Sequence, residues 1–211
     1  MIIPEKNECL AELVGALLGD GNIFYCTKRN IGVYQVKIAG NLTADKKYHS
    51  HLKNIALDLF GMRASEVLVT KRNERFLVFS SKALVEYFAK MGLQAGDKIK
   101  NQVTIPLWVW KKDYTLRTCL RGLIDTDGSI FRMSQRDSGL LRISFTNYNK
   151  RLLNDAHHAF RKLGFSPTKI IQNKRFFISR QGNIAKYLKE IGFSNNKHEI
   201  RFKKFQHSPV V

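Results

Sequence analysis

The chain of 211 residues is 44% hydrophobic, which is a globular composition, and it is long enough to bury a sizeable core. Its 36 Lys and Arg residues outnumber 17 Asp and Glu, and the formal net charge of +19 indicates a polyanionic partner. The basic residues are spread over the chain, and no apolar run approaches the length of a membrane span, so nucleic acid is favoured over a membrane surface.

The first half is predicted to alternate helices with pairs of strands. Apolar residues recur at helical spacing from Leu10 to Leu18, which predicts a helix over residues 8–19. Strands are expected at 22–25 and 34–39, and the second of these alternates apolar and polar residues. The remaining elements are a helix at 45–60, a hairpin of strands at 67–70 and 76–80 with a basic tip, and a helix at 82–91.

The second half repeats this order after a connector. Residues 101–114 are too apolar for a flexible linker, and Pro106 prevents them from forming one continuous helix. The second set of elements comprises strands at 128–133 and 141–146, a helix at 150–163, strands at 169–172 and 176–179, and a helix at 182–191. The order indicates an α+β protein made by duplication, with one repeat at 1–100 and the other at 115–211.

Two similar nonapeptides occupy corresponding places in the repeats. Leu13–Gly21 reads LVGALLGDG and Leu120–Gly128 reads LRGLIDTDG, so each predicted helix ends in an Asp-Gly pair. Small residues spaced four apart predict that the two helices approach closely. They are Ala11, Gly15 and Gly19 in the first helix and Thr118, Gly122 and Thr126 in the second.

The two aspartates, Asp20 and Asp127, are predicted to meet at one site. A carboxylate at the C-terminal end of a helix faces the negative end of the macrodipole, so a divalent cation would offset the repulsion. The hard oxygen ligands would be these two carboxylates and the carbonyl groups of Gly19 and Thr126. The glycines that follow, Gly21 and Gly128, are expected to end both helices in the left-handed conformation.

The paired nonapeptides resemble the two motifs of the LAGLIDADG homing endonucleases in their single-chain, two-motif form. The resemblance covers both motifs and the repeats around them, and so nearly the whole chain. It implies two pseudo-symmetric αββαββα repeats, whose antiparallel sheets form a DNA-binding saddle and whose motif helices pack at the centre. The first motif has Leu18 where an acid is common, and the second has Asp125 there, but the eighth position carries the metal in such families.

The resemblance also implies an activity: a monomeric, Mg²⁺- or Mn²⁺-dependent enzyme that makes a staggered double-strand cut in a long DNA target. It implies a basic residue near each scissile phosphate, and position in the repeats nominates Lys98 and Lys197. A polar, water-orienting residue at the end of each second strand is a further family feature. Asn147 fits it in the second half, whereas Gly40-Asn41 is a weaker match in the first.

The outward residues of the strands and turns are candidate DNA contacts, because β-ribbons can enter the major groove and read base edges. An ordinary solvated strand face is the alternative for each of them. The candidates are Gln35, Lys37, Arg72, Asn73 and Arg75 in the first half, and Arg132, Ser134, Arg142, Ser144, Thr146, Lys174 and Arg175 in the second.

Other readings of the same pattern remain. An RNA maturase that assists the splicing of its host intron would share the fold, although retention of both acids favours cleavage. A related transcription regulator is expected to have lost one aspartate. An intein-embedded nuclease is disfavoured, because the chain starts with Met and shows no splicing blocks at its ends. The N-terminal residues also lack the pattern of a secretion signal.

The cysteines and histidines carry no catalytic signature. Cys9, Cys26 and Cys119 are odd in number and lack CxxC spacing, which argues against disulfides and zinc and favours a reducing intracellular compartment. The pairs His49/His51 and His157/His158 are expected on the polar sides of helices, as surface residues.

Overall fold

A computed structural model describes residues 2–27, 32–133 and 140–207. Its helices are α1 (Glu8–Asp20), α2 (Lys46–Phe60), α3 (Lys82–Lys90), α4 (Asp113–Asp127), α5 (Lys150–Lys162), α6 (Gln181–Glu190) and α7 (Asn196–His207). Its strands are β1 (Gly21–Cys26), β2 (Val33–Asn41), β3 (Ser65–Val69), β4 (Glu74–Ser80), β5 (Gly128–Arg132), β6 (Leu141–Thr146) and β7 (Arg175–Ile178). None of the helices in these ranges is long and apolar enough to cross a membrane.

The strands form two antiparallel sheets, with the orders β1-β2-β4-β3 and β5-β6-β7. The predicted α+β architecture is therefore confirmed, with one sheet in each repeat. Alternation sets the buried face of each sheet: Val36 and Ile38 of β2 are buried, as are Ile143 and Phe145 of β6. The intervening residues lie on the opposite, open faces.

The two motif helices, α1 and α4, pack against each other at the centre through their small residues. A Cβ placed on Gly15 would overlap the main-chain carbonyl oxygen of Cys119, and one placed on Gly122 would overlap that of Glu12. Side chains at these positions would hold the helix axes apart, so glycine is required for the contact. The predicted close approach is confirmed.

A buried ion pair crosses the same helix interface. Glu12, which is 3% exposed, accepts from Arg121 Nη2 at 2.7 Å and lies 2.7 Å from His51 Nε2. Burial alone would raise the pKa of Glu12, but the hydrogen bond from His51 and the charge of Arg121 outweigh it and lower that pKa. The carboxylate thus stays charged and joins α1 to α4.

The expected left-handed conformation of Gly21 and Gly128 is wrong. Gly21 has φ −82° and ψ 159°, and Gly128 has φ −100° and ψ 170°, so both are extended. Each glycine is the first residue of a strand that leaves the helix without a loop. A Cβ at Gly21 would overlap Leu17, and one at Gly128 would overlap Ile124, so lack of a side chain is needed for space, not for backbone freedom.

The predicted strand at 169–172 is also wrong, and the described part of the second sheet has three strands instead of four. This segment runs beside β7, but it makes only one isolated bridge, between Ile171 and Arg175. Gln172 and Asn173 both have positive φ, so the chain reverses too tightly for a ladder to grow.

A last helix, α7, was not predicted, because its sequence is mostly polar and charged. It packs beside β5, where Arg201 Nη1 donates to Ser129 Oγ at 3.1 Å.

The connector is ordered, in agreement with its apolar sequence. Val103, Ile105 and Val109 are buried, and the N–H of Ile105 donates to Asp155 Oδ2 at 2.9 Å. It therefore packs against the second repeat.

The prediction that His49 lies on the surface is wrong, because its side chain is completely buried. Its Nε2 lies 3.3 Å from the carbonyl oxygen of Ala39, and burial lowers its pKa. Of the other three predicted surface histidines, His158 is exposed, and His51 and His157 are half-buried.

Candidate active site and nucleic-acid interface

Asp20 and Asp127 are the last residues of α1 and α4, whose C-terminal ends meet at the seam between the repeats. A Cβ placed on Gly19 would lie 3.3 Å from Asp127 Oδ2, so the Asp127 carboxylate rests directly on the other motif helix. Both aspartates are half-buried. The structure thus brings together the two acids that the sequence pairs.

The environment makes both carboxylates hard to ionise. Burial, followed by the negative charge of Asp20, raises the pKa of Asp127 to about 7. Burial also raises the pKa of Asp20, although the ammonium groups of Lys197 and Lys98 act in the opposite direction. Two crowded, partly desolvated carboxylates are a charge arrangement that a cation would relieve.

Asn147 contacts the site directly. Its Nδ2 donates to Asp127 Oδ2 at 2.7 Å, and its Oδ1 accepts from the N–H of Asn149 at 2.8 Å. In the first repeat the strand register places Gly40 at this position, and the next residue, Asn41, instead accepts from the N–H groups of Thr43 and Ala44. The two halves of the site therefore differ at this position.

Lys98 lies at the C-terminal end of α1. Its Nζ donates to the carbonyl oxygens of Leu17 and Leu18 at 3.4 and 3.1 Å, and to that of Gly19. Burial lowers the pKa of Lys98, while the charges of Asp127 and Asp20 raise it. The lysine satisfies free carbonyls of the helix end and places a positive charge beside both acids.

Lys197 reaches the site differently. Its Nζ lies 3.1 Å from Oδ1 of Asp45, a buried residue that precedes α2. Burial alone would raise the pKa of Asp45, but hydrogen bonds from Asn195 and Asn41 and the charge of Lys197 lower it. The ion pair joins the first repeat to the first turn of α7.

Sequence reasoning missed Asp45 and its counterpart Asn149. Each directly precedes the second helix of its repeat, so comparison of the repeats could have paired them.

Sequence reasoning also left open where the Asp125 side chain points. Its Oδ2 accepts from the N–H of Ser194 at 2.8 Å, and its side chain is completely buried. Asp125 thus fixes the turn between α6 and α7.

A cavity of about 240 Å³ opens beside Asp127. It is lined by Leu18, Gly19, Lys98, Ile99, Asp127, Thr146, Asn147, Tyr148 and Asn149. Acidic, basic and amide side chains therefore face a space that can hold water and a phosphate oxygen.

The donor set fits a hard divalent cation. Over the described ranges, no group of three or more His, Cys, Asp and Glu residues gathers, so the protein offers a pair of carboxylates and nearby carbonyl oxygens. The Gly19 carbonyl already accepts from Lys98, and the Thr126 hydroxyl donates to the Gly122 carbonyl at 3.0 Å. Oxygen ligands in small number suit Mg²⁺ or Mn²⁺, which retain waters and bind substrate phosphates, better than Zn²⁺.

Most of the candidate DNA contacts lie on open surface. Arg72 and Asn73 are exposed in the turn between β3 and β4. The other accessible candidates are half-exposed: Gln35, Lys37, Arg142, Ser144, Thr146, Lys174 and Arg175. Ser134 lies outside the described residues.

Two candidates do not face outward. Arg75 is 3% exposed; its Nη2 pairs with Glu66 and its Nη1 donates to the Leu42 carbonyl at 2.9 Å. It shares the inner face of β4 with Leu77 and Phe79, as strand alternation requires. Arg132 shares the face of Ile130 and contacts the carbonyl oxygen and ring of Phe205 in α7. Both predictions of an outward position are wrong.

The structure thus has a duplicated α+β fold in which each of two central helices ends in an aspartate at the same seam. Residues 115–192, which make up most of the second repeat, match the model of the LAGLIDADG-like domain. The fold resembles that of the homing endonuclease I-DmoI, with a TM-score of 0.62 and 21% identity over 88% of this chain and 95% of that chain. The structure of a mutant of I-SmaMI is also similar, with a TM-score of 0.62 and 13% identity. The match covers 95% of this chain and 88% of that chain.

A sequence comparison also finds a relative that is a much longer protein. The replication factor C small subunit of Methanocaldococcus jannaschii is 26% identical over 204 residues, which are 92% of this chain. The chain spans only 10% of the length of that relative. The resemblance to the single-chain, two-motif LAGLIDADG homing endonucleases is confirmed by the domain match and the shared fold.

Proposed function

We propose that this chain is a site-specific homing endonuclease that makes a staggered double-strand cut in a long DNA target by metal-dependent phosphodiester hydrolysis. The observation that carries the proposal is the convergence of Asp20 and Asp127 at the seam, where both carboxylates have a raised pKa. Structures of I-DmoI in complex with DNA and Ca, and with DNA and Mn, support the same substrate and cofactor class.

In this proposal Asp20 and Asp127 hold Mg²⁺ or Mn²⁺. A bound divalent cation would lower the pKa of a water and offset charge on the leaving 3′-oxygen. Asn147 holds the Asp127 carboxylate in one orientation through its 2.7 Å hydrogen bond. Lys98 and Lys197 supply positive charge to the phosphates that enter the seam from either side.

The partner in this proposal is double-stranded DNA, bound by a monomer across the open faces of both sheets. One chain supplies both repeats, so no second copy is needed to contact the two halves of a target. The net charge of +19 supports tight phosphate contacts, and we expect affinity to fall steeply as salt rises. The free thiols of Cys9, Cys26 and Cys119 are consistent with a reducing compartment.

The test is selection of cleavable duplexes from a randomised or host-gene DNA library in the presence of Mg²⁺. We expect a long, nearly asymmetric sequence to be cut on both strands with a fixed stagger. Binding to intron RNA, with no DNA cut by the wild-type chain, would instead favour the RNA maturase. Cleavage of every duplex at similar rates would contradict site specificity.

A further inference from the structure

The open faces of the two sheets differ in chemistry. On the first sheet the strand residues of this face include the apolar side chains of Phe24, Ala39, Val67, Phe76 and Val78. Phe24 and Val67 are 44% and 47% exposed, although each lies in a regular strand. The exposed parts of these apolar side chains are available to a partner.

Register brings part of this apolar surface together and separates the rest with polar residues. Ala39 is paired with Phe76, which is paired in turn with Val67. The next row runs from Asn22 through Lys37 to Val78, and the row after it pairs Phe24 with Gln35. Lys37 is the single cationic side chain on this face within β1 to β4. The polar remainder is mostly amide and hydroxyl.

The open face of the second sheet is basic and hydroxylic. Arg142 and Arg175 lie on it, together with Ser129, Ser144 and Thr146. No described residue accepts a hydrogen bond from the side chain of either arginine or forms an ion pair with it. The Nε atom of each is buried without a hydrogen-bond partner, so the terminal amino groups of these half-exposed side chains are the donors left for a ligand.

Two aromatic rings pack against each other beside one of these arginines, and one of them contacts it. Phe131 and Phe177 contact each other edge to face, with ring centroids 6.3 Å apart. The guanidinium carbon of Arg142 lies 4.8 Å from the centroid of Phe177. Stacking on a ring reduces the number of orientations of the arginine without using its donors. The apolar side chains of this sheet thus support a polar contact instead of presenting a surface of their own.

Base pairs differ in the groups that they show in the major groove. Arginine pairs with the O6 and N7 acceptors of guanine, asparagine and glutamine pair with adenine, and apolar side chains contact the methyl group of thymine. The first face offers amides and apolar groups, which match A·T pairs. The second offers two available arginines, which match guanine.

We propose that the first repeat reads an A·T-rich half of the target and that the second repeat reads a half containing guanines contacted by Arg142 and Arg175. The proposal rests on the proposed function only in requiring that the open faces lie in the major groove of DNA. It does not require that the DNA be cut. The two halves of one target should therefore differ in base composition.

The experiment is selection by binding from a fully randomised duplex pool with the wild-type chain in EDTA, so that cleavage plays no part. We expect the enriched motif to have an A·T-rich half and a half with fixed guanines. The double variant Arg142→Gln/Arg175→Gln should lose the guanine preference, by roughly 5- to 100-fold at each contacted pair, and keep the A·T-rich half. The double variant Phe24→Ser/Val67→Ser should show the opposite pattern.

Arg63→Gln is the matched control, because Arg63 is exposed in the segment between α2 and β3, outside both open faces. It should weaken binding to all sequences about equally. A motif with the same base composition in both halves would overturn the proposal, as would a guanine preference that survives the arginine double variant. Enrichment of no sequence at all would overturn the proposed function as well, and the two failures are thereby distinguished.

Discussion

Lys197 Nζ and Asp45 Oδ1 lie 3.1 Å apart, so a lysine of the second repeat is held by a buried acid of the first. The counterpart of Asp45 is Asn149, whose Nδ2 donates to the carbonyl oxygens of Lys98 and Val103 at 3.2 and 2.7 Å. Asp45 thus holds the side chain of Lys197, whereas its counterpart Asn149 holds the main chain of Lys98. The two halves of a duplicated site are chemically unequal.

The Asp45→Asn variant should cut one DNA strand more slowly than the other. Loss of the ion pair lets the Lys197 ammonium move, and a displaced charge costs roughly 10- to 100-fold in rate. The measurement is cleavage of a duplex labelled on both strands, with the two nicking rates determined in one reaction. Asp58→Asn, an exposed acid on α2, should leave both rates unchanged. Equal slowing of both strands by Asp45→Asn would contradict the assignment.

Divalent-cation affinity should depend on pH around the pKa of Asp127, which is about 7. Below that value a proton occupies the carboxylate and competes with the cation, so affinity should rise through about pH 7 and level off above it. Calorimetric titration with Mn²⁺ in the absence of DNA measures this directly. An affinity that stays constant over the range would show that Asp127 is not a ligand.

The Asp127→Asn variant should be more stable than the wild type at neutral and higher pH. Because the folded-state pKa of Asp127 is raised, its ionisation destabilises the fold as pH rises from the ordinary value of 3.8 to about 7. Asparagine has no ionisable group, so it removes this cost of ionisation, and its side-chain oxygen can still accept the hydrogen bond from Asn147 Nδ2. We expect the free energy of unfolding to rise by about 2 kcal/mol above pH 7. Below the ordinary aspartate pKa of 3.8 we expect almost no change. Denaturant titrations at several pH values would show a pH-independent difference if the interpretation is wrong.

The close approach of the motif helices predicts a strong glycine requirement. Gly15→Ala and Gly122→Ala should each lower the free energy of unfolding by about 3 kcal/mol, because the added methyl group would overlap a main-chain carbonyl of the other helix. Gly182→Ala in α6 is the control: its Cβ would meet nothing within 4 Å, so stability should be unchanged or rise by up to about 1 kcal/mol. Similar stability of all three variants would mean that the helices are farther apart.

Helical spacing and strand alternation in the sequence predicted the elements that bury one face in the core. The helical spacing of apolar residues in α1 and α4 and the apolar–polar alternation in β2 and β6 match the structure, because the apolar residues of each element lie on its buried face. Helix α7 has no such period, since it is held by contacts such as Arg201 with Ser129, which depend on the folded chain. The segment at 169–172 has strand-like residues, but its tight reversal at Gln172 and Asn173 prevents pairing.

The candidate site divides in the same way. Asp20, Asp127 and Asn147 could be placed from the repeat, because each occupies the end of an element. The inward position of Arg75 follows from its alternation with Leu77 and Phe79, but the prediction begins the strand at residue 76 and places Arg75 in the basic turn before it. The Asp45–Lys197 pair joins residues of different repeats and could be found only once both were in place.

Cleavage by the Asp20→Asn and Asp127→Asn variants tests the central claim most directly. Each should bind the selected target within a few-fold of the wild type and yield no linear product from a plasmid that carries it. One carboxylate cannot hold the cations that cutting of both strands requires. Linear product formed at the wild-type rate by either variant would contradict the assignment of the catalytic centre to these two acids.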